Sequence, residues 1–236
     1  AQAPAYPNRP IKLVVPFAAG QSIDVVLRAL AEPLSQEARV PIVIDNRPGA
    51  AGFLAAQAVA SAPADGYTVL IGSNTTHAAN AAMFTKLPYD PIVDFAPVTL
   101  INKGGMIFVV PASSPINSAQ ELIARARQSP GKLSYGASSS SSRMSAELLQ
   151  QMGGAKVQYV PYKSSPQAIT DLLGGTLDFA VVDVPAAQPL IQQGRLRGLA
   201  VSTSRRHPTL TQVPTMAESG LTGFELAAWS AVFVPA

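Results

Sequence analysis

Three loops of small residues carry the groups best suited to chemistry in this sequence. They are residues 16–22 (Pro16, Phe17, Ala18, Ala19, Gly20, Gln21, Ser22), residues 72–77 (Gly72, Ser73, Asn74, Thr75, Thr76, His77) and residues 136–143, where Gly136 and Ala137 precede the serine run Ser138, Ser139, Ser140, Ser141, Ser142 and then Arg143. Each joins hydroxyls and peptide N–H groups to the expected start of a helix, where N–H groups lack partners and the dipole favours an anion. A charge-assisted hydrogen bond to a carboxylate is worth about 1.5–3 kcal/mol, so about four or five of them hold a small acid without any charged side chain. Loops of this composition at equivalent places in two halves of a chain make two lips of a cleft. The chemistry they suit is recognition of an organic anion.

The titratable side chains nearby each admit two readings. Asp24 can meet a ligand amine, or pair with Arg28 four residues on. His77 can donate to a carboxylate or anchor its loop. Arg143 can face a ligand carboxylate or lie on the surface, and Asp183, ahead of Pro185, can cap a helix or join the site. Covalent catalysis is poorly served. The chain has no Gly-x-Ser-x-Gly elbow, no phosphate loop, no Gly-x-Gly-x-x-Gly and no His-Glu-x-x-His. A hydrolase built on Ser138 and His77 would need a third, orienting group, and nothing marks one.

Composition narrows the classes further. The 236 residues are 47% hydrophobic, enough to bury the core of one large or two modest domains. Only 13% are charged and the net charge is +3, with Lys and Arg scattered, so no nucleic-acid footprint is present. There is no cysteine and there are two histidines, His77 and His207, which excludes a disulfide framework, a thiolate metal site and a histidine-rich one. No metal or other cofactor is indicated. No apolar run approaches the roughly 20 residues needed to span a bilayer, so a soluble chain is expected. Ala1-Gln2-Ala3 reads either as the small-residue end left by a cleaved export signal or as an ordinary terminus.

The elements that must position these loops alternate between strand and helix. Residues 12–17 predict a strand, and Ile23, Val26, Leu27, Leu30, Ala31 and Leu34 line one face of a helix from Ser22, with Pro33 predicting a kink or an early end. Strands at 41–45 and 67–73 and a helix at 52–60 complete a βαβαβ unit, whose right-handed crossovers place helices on both sheet faces. Two extended runs, 97–101 and 106–110, flank Lys103-Gly104-Gly105 and suit a crossing between lobes. The alternation then restarts. Ser118 with Glu121 gives a capping box, 133–137 and 157–161 are strands, and Met144, Leu148 and Met152 mark a helix between them. Ser165-Pro166 predicts a cap followed by proline at the first helical position. Strands at 177–184 and 196–202, a helix at 186–193 and an extended tail at 224–234 close the chain. The expected fold class is α/β, two-lobed, each lobe a doubly wound sheet flanked by helices and joined by two extended crossings. Lobe 1 takes residues 1–100 and 223–236, and lobe 2 takes residues 101–222.

These residues also resemble a family. Tyr6-Pro7-Asn8-Arg9-Pro10-Ile11 before Val14-Val15-Pro16-Phe17-Ala18-Ala19-Gly20, then Ser22 and Asp24, is similar to the opening of the tripartite tricarboxylate transporter receptors, also called Bug proteins. The likeness continues in residues 46–52, in residues 63–68, in Gly72-Ser73 with Thr76-His77, in Val160-Pro161-Tyr162-Lys163 and in Asp171-Leu172-Leu173-Gly174-Gly175. It implies a type II periplasmic-binding-protein fold, export to the periplasm, no enzymatic activity, and a monomeric receptor for carboxylates that works with membrane permease subunits. A sensory module of the same fold is the alternative. The matching ligand positions are residues 17–22, residues 73–77, the loop from Ala137 to Arg143, Tyr162-Lys163 and Asp183. This chain departs from the family pattern at Gln21, usually a second glycine, at the five serines before Arg143, and at Ser164-Ser165, usually Gly-Gly. Family members also continue beyond the position of Ala236 with further helices on the first lobe. The sequence names no particular acid.

Overall fold

The computed structural model describes residues 6–236, and the export-signal reading of Ala1 to Ala3 falls outside the described residues. The chain divides into two compact units, Ala1–Lys103 with Trp229–Ala236, and Gly104–Ala228.

In the first unit, strands β1 (Ile11–Val15), β2 (Ile42–Asn46), β3 (Thr68–Ser73) and β9 (Ala227–Pro235) lie in the order β2-β1-β3-β9. β1 runs parallel to β2 and β3, and β9 runs antiparallel to β3 with Leu70 opposite Phe233. The period of two in a strand sorts the apolar residues onto two faces. Leu13, Val15, Val69 and Ile71 pack with Ile23 and Leu27 of helix α1 (Ser22–Ala38). Val14 and Leu70 pack with Ala55, Ala56 and Val59 of α2 (Phe53–Ala60) on the opposite face. Helices therefore cover both faces, as right-handed crossovers require.

Helix α1 differs from expectation in two ways. It runs through Pro33 to Ala38 rather than ending there; Pro33 and Ala29, four residues before it, are both exposed. Its buried face also ends early, with Leu30 and Leu34 exposed. After β3 comes a π-type turn, Thr75–Ala79, and a short helix α3 (Asn80–Met83), neither of which the sequence pattern predicts.

The second unit repeats the layering. The expected pair of runs around Lys103 is one strand, β4 (Phe95–Pro111). Gly105 allows a close approach here, since Thr203 lies where a side chain at 105 would project. β4 pairs antiparallel with both β7 (Phe179–Asp183) and β8 (Leu196–Val201), while β5 (Ser134–Ala137) lies parallel between β7 and β6 (Gln158–Pro161). Phe108, Tyr135, Phe179 and Val181 form one core with α4 (Ala119–Gln128) and α5 (Ser140–Gly153). Ile107, Val109, Ala180 and Val182 form the other with α6 (Ser165–Leu173) and α7 (Val184–Gln192). Among the described residues, no helix is long and apolar enough to cross a membrane.

Candidate functional site

The loop after β1 is held from beneath by Asp24. This carboxylate is buried in the first turn of α1, accepts from the Gly20 N–H at 2.9 Å and from Asn46 Nδ2 at 3.0 Å, and pairs with Arg28 Nε at 2.8 Å. Asn46 Nδ2 also donates to the Phe17 carbonyl at 3.1 Å. Burial pushes the Asp24 carboxyl up, but hydrogen bonds from Arg28, Gly20 and Asn46, with the Arg28 charge, outweigh it and hold the group below its usual range. Gly20 takes a φ of +82°, a left-handed turn that shapes residues 17–21. Of the side chains expected in the site, Asp24 thus supports the loop of Phe17, Ala18, Ala19 and Gly20 from below. Gln21 precedes the first helical residue, Ser22, and both make interactions of their own.

The loop after β3 spends its hydroxyls internally. Thr76 Oγ1 accepts from the Ser73 N–H at 3.0 Å and lies 2.8 Å from His77 Nδ1, while Ser73 Oγ accepts from the Thr75 N–H at 3.2 Å. Tyr89 donates to the Thr76 carbonyl at 2.7 Å. The His77 ring stacks on Phe233 with centroids 3.8 Å apart and meets Phe95 edge-on at 5.1 Å. Its Nε2 is buried without a hydrogen-bond partner among the described residues.

Burial in this aromatic setting lowers the His77 pKa to about 4. The imidazole is neutral at neutral pH and supplies no cation to an acid. The shift also fixes a sign: the unfolded chain binds this proton near pH 6.5 and the native state does not. Stability is expected to fall as pH drops from about 6.5 to about 4. Melting temperatures across that window should decline in the native protein and decline less in His77→Phe. Equal slopes would remove His77 as the cause.

In the second unit, the serine run divides its labour. Ser139 caps α5 by accepting from the Ser142 N–H at 3.2 Å, and Ser142 Oγ accepts from the Ser139 N–H at 3.0 Å, a reciprocal capping box. Ala137 ends β5 and its carbonyl accepts from the Tyr162 N–H at 3.0 Å. Ser138 Oγ lies 3.1 Å from Ser165 Oγ, which donates to Asp183 Oδ1 at 2.5 Å. Arg143 lies on α5, 3.6 Å from Glu147 and 4.9 Å over the Tyr159 ring. The Tyr162 hydroxyl donates to Asp171 Oδ2 at 2.7 Å, and Lys163 makes an interaction of its own. The structure therefore brings Ser138 and Asp183 together through Ser165, and turns Arg143 and the Tyr162 hydroxyl toward other partners.

Two functional groups escape sequence reasoning. Ser164, not Ser165, caps α6, accepting from the Gln167 N–H at 3.4 Å, which frees the Ser165 hydroxyl for Asp183. Asn46 clamps the first loop, and its only signal in the sequence is its place in the motif of residues 46–52. Asp183 stands at the cap position of α7, where the Ala186 N–H, three residues on, also hydrogen-bonds to its carboxyl.

Comparison with known proteins places the family and the fold. Residues 26–236 match the tripartite tricarboxylate transporter family receptor. Protein BugT of Bordetella pertussis is 36% identical over 236 residues, covering 99% of this chain and 72% of its own. A structure of an R. palustris protein with adipate is 40% identical with a TM-score of 0.92, covering 98% of this chain and 78% of that one. MatC from Rhodopseudomonas palustris with bound malate is 32% identical with a TM-score of 0.89, covering 98% and 79%. These likenesses assign the type II periplasmic-binding-protein fold.

Proposed function

Because the chain belongs to the tripartite tricarboxylate transporter receptor family, a family of periplasmic solute-binding proteins, we propose that it captures a small organic carboxylate between its two units in the periplasm and delivers it, as a monomer and without chemical change, to the membrane subunits of a carrier. The observation that carries this reading is the pair of relatives solved with adipate and malate, at 40% and 32% identity over nearly the whole chain. The local geometry supports it. Each unit presents a small-residue loop leaving a parallel strand and entering a helix, at residues 17–22 and at residues 138–143, where N–H groups favour an anion. The ligand would bridge these loops, with residues 73–77, Tyr162-Lys163 and Asp183 beside them, and would favour a closed form through contacts available only there.

A thermal-shift screen over mono-, di- and aromatic carboxylates, including adipate and malate, tests the reading. An acid that binds only the native state at about 100 times its Kd adds about 2.7 kcal/mol, which is roughly 5–10 °C for a chain of this size. No shift with any acid, alongside shifts with sugars or amines, would reject it.

A further inference from the structure

The chain of Ser138, Ser165 and Asp183 lies wholly within the second unit and links the end of β5 to the end of β7 through the first residue of α6. We propose that Asp183, acting through Ser165, sets the hydrogen-bond direction of Ser138 and so couples carboxylate capture to the uptake of one proton. This rests on the reading of Ser138 as a ligand contact.

The argument is one of donors and acceptors. An ionised carboxylate only accepts. With Asp183 ionised, the Ser165 hydroxyl is committed to Oδ1 at 2.5 Å, and its remaining lone pairs take the Ser138 hydroxyl at 3.1 Å. Ser138 then shows its surroundings only lone pairs, which repel a carboxylate and suit a ligand hydroxyl or ammonium. A proton on Oδ1 reverses the chain: Asp183 donates to Ser165, Ser165 donates to Ser138, and Ser138 donates to the acid. Ligand anion and proton enter together, and the proton comes from solvent. Hydrogen bonds in such a chain polarise one another, so the reversal is transmitted through both serines.

The surroundings of Asp183 suit a group that takes up a proton. Burial pushes its carboxyl above the usual range, against opposing hydrogen bonds from Ser165 and from the N–H groups of Asp183 and Ala186. Helix α7 carries no charged side chain, and Met106 of β4 stands opposite Asp183. On the β6–α6 turn, Tyr162 is bound to Asp171, and Lys163 has its own interaction. On α5, Arg143 is occupied by Glu147 and Tyr159.

The test is calorimetry with adipate and with malate between about pH 6 and pH 8, where the acids themselves are ionised, in buffers of differing ionisation enthalpy to count protons. The native protein is expected to take up as much as one proton per adipate, with affinity falling as pH rises by about tenfold per unit at the steepest. Asp183→Asn, whose amide donates permanently to Ser165, should bind adipate at high pH with no proton uptake. Ser165→Ala, which cuts the link, should also lose the pH dependence. Should Asp183→Asn fail to fold, Ser165→Ala and the native proton count decide. Binding of adipate that is independent of pH in the native protein, or a pH dependence kept by both variants, overturns the proposal while leaving carboxylate capture intact. Failure of both acids to bind at any pH removes the reading beneath it and the proposal together.

Discussion

Asp24→Ala is expected to lower the unfolding free energy by about 2–4 kcal/mol, read as an earlier midpoint in urea at unchanged slope. The mechanism is loss of a shared acceptor. Gly20 N–H, Asn46 Nδ2 and Arg28 Nε all converge on this one carboxylate, which is 1% exposed. Removing it leaves the Gly20 amide and the Asn46 amide without that partner. Arg28 is half exposed and returns to water, which keeps the cost below that of a wholly buried ion pair. Because the folded Asp24 is held below the usual carboxylate range, its contribution is present above about pH 3.8 and is lost as pH falls through its folded value. The variant should therefore lose less stability on acidification than the native protein. It should also bind carboxylates more weakly, since the turn at residues 17–20 loses its support. A native-like midpoint would show that the loop stands without it.

Gly72→Ala should be comparably severe for a different reason. A Cβ at this position would come within 2.6 Å of His77 Cε1 and of two Phe233 ring carbons. Such distances cannot be relieved by swinging a flexible tip, because the two rings are stacked on each other at 3.8 Å and Phe233 is buried against the sheet. Overpacking of this kind costs on the order of 3 kcal/mol, or roughly 6–12 °C in melting temperature. The measurement is a thermal melt of Gly72→Ala beside the native protein. A melting temperature unchanged by the substitution would mean that the His77–Phe233 stack is not fixed as described.

These two positions show what a sequence does and does not disclose. The alternation of strands and helices was readable because it is local: apolar residues at period two or near four mark each element, and Ser118 accepts from the Glu121 N–H as a cap should. Pairings distant in the chain left no such trace. His77 stacks on a phenylalanine 156 residues later, so no spacing rule could choose between a ligand donor and a packed ring. Of the two outcomes Pro33 signals, a kink or an early end, the early end does not occur, since α1 continues to Ala38 with Pro33 on its exposed side. Ser164 and Ser165 are interchangeable as caps by type, and only the position of Asp183 on β7 assigns them different tasks. The family motifs located the loops well, yet they did not distinguish residues that build a loop from residues that a loop displays.

The reciprocal bonds between Ser139 and Ser142 bear on how the serine run can be dissected. Both hydroxyls are part of the joinery that starts α5, so truncating either one should register in the melting curve before it registers in a titration. Neighbouring Ser138 belongs to another circuit altogether. If Ser138 has the role proposed for it, an alanine series along the run would show stability losses at Ser139 and Ser142 and a change in affinity at Ser138.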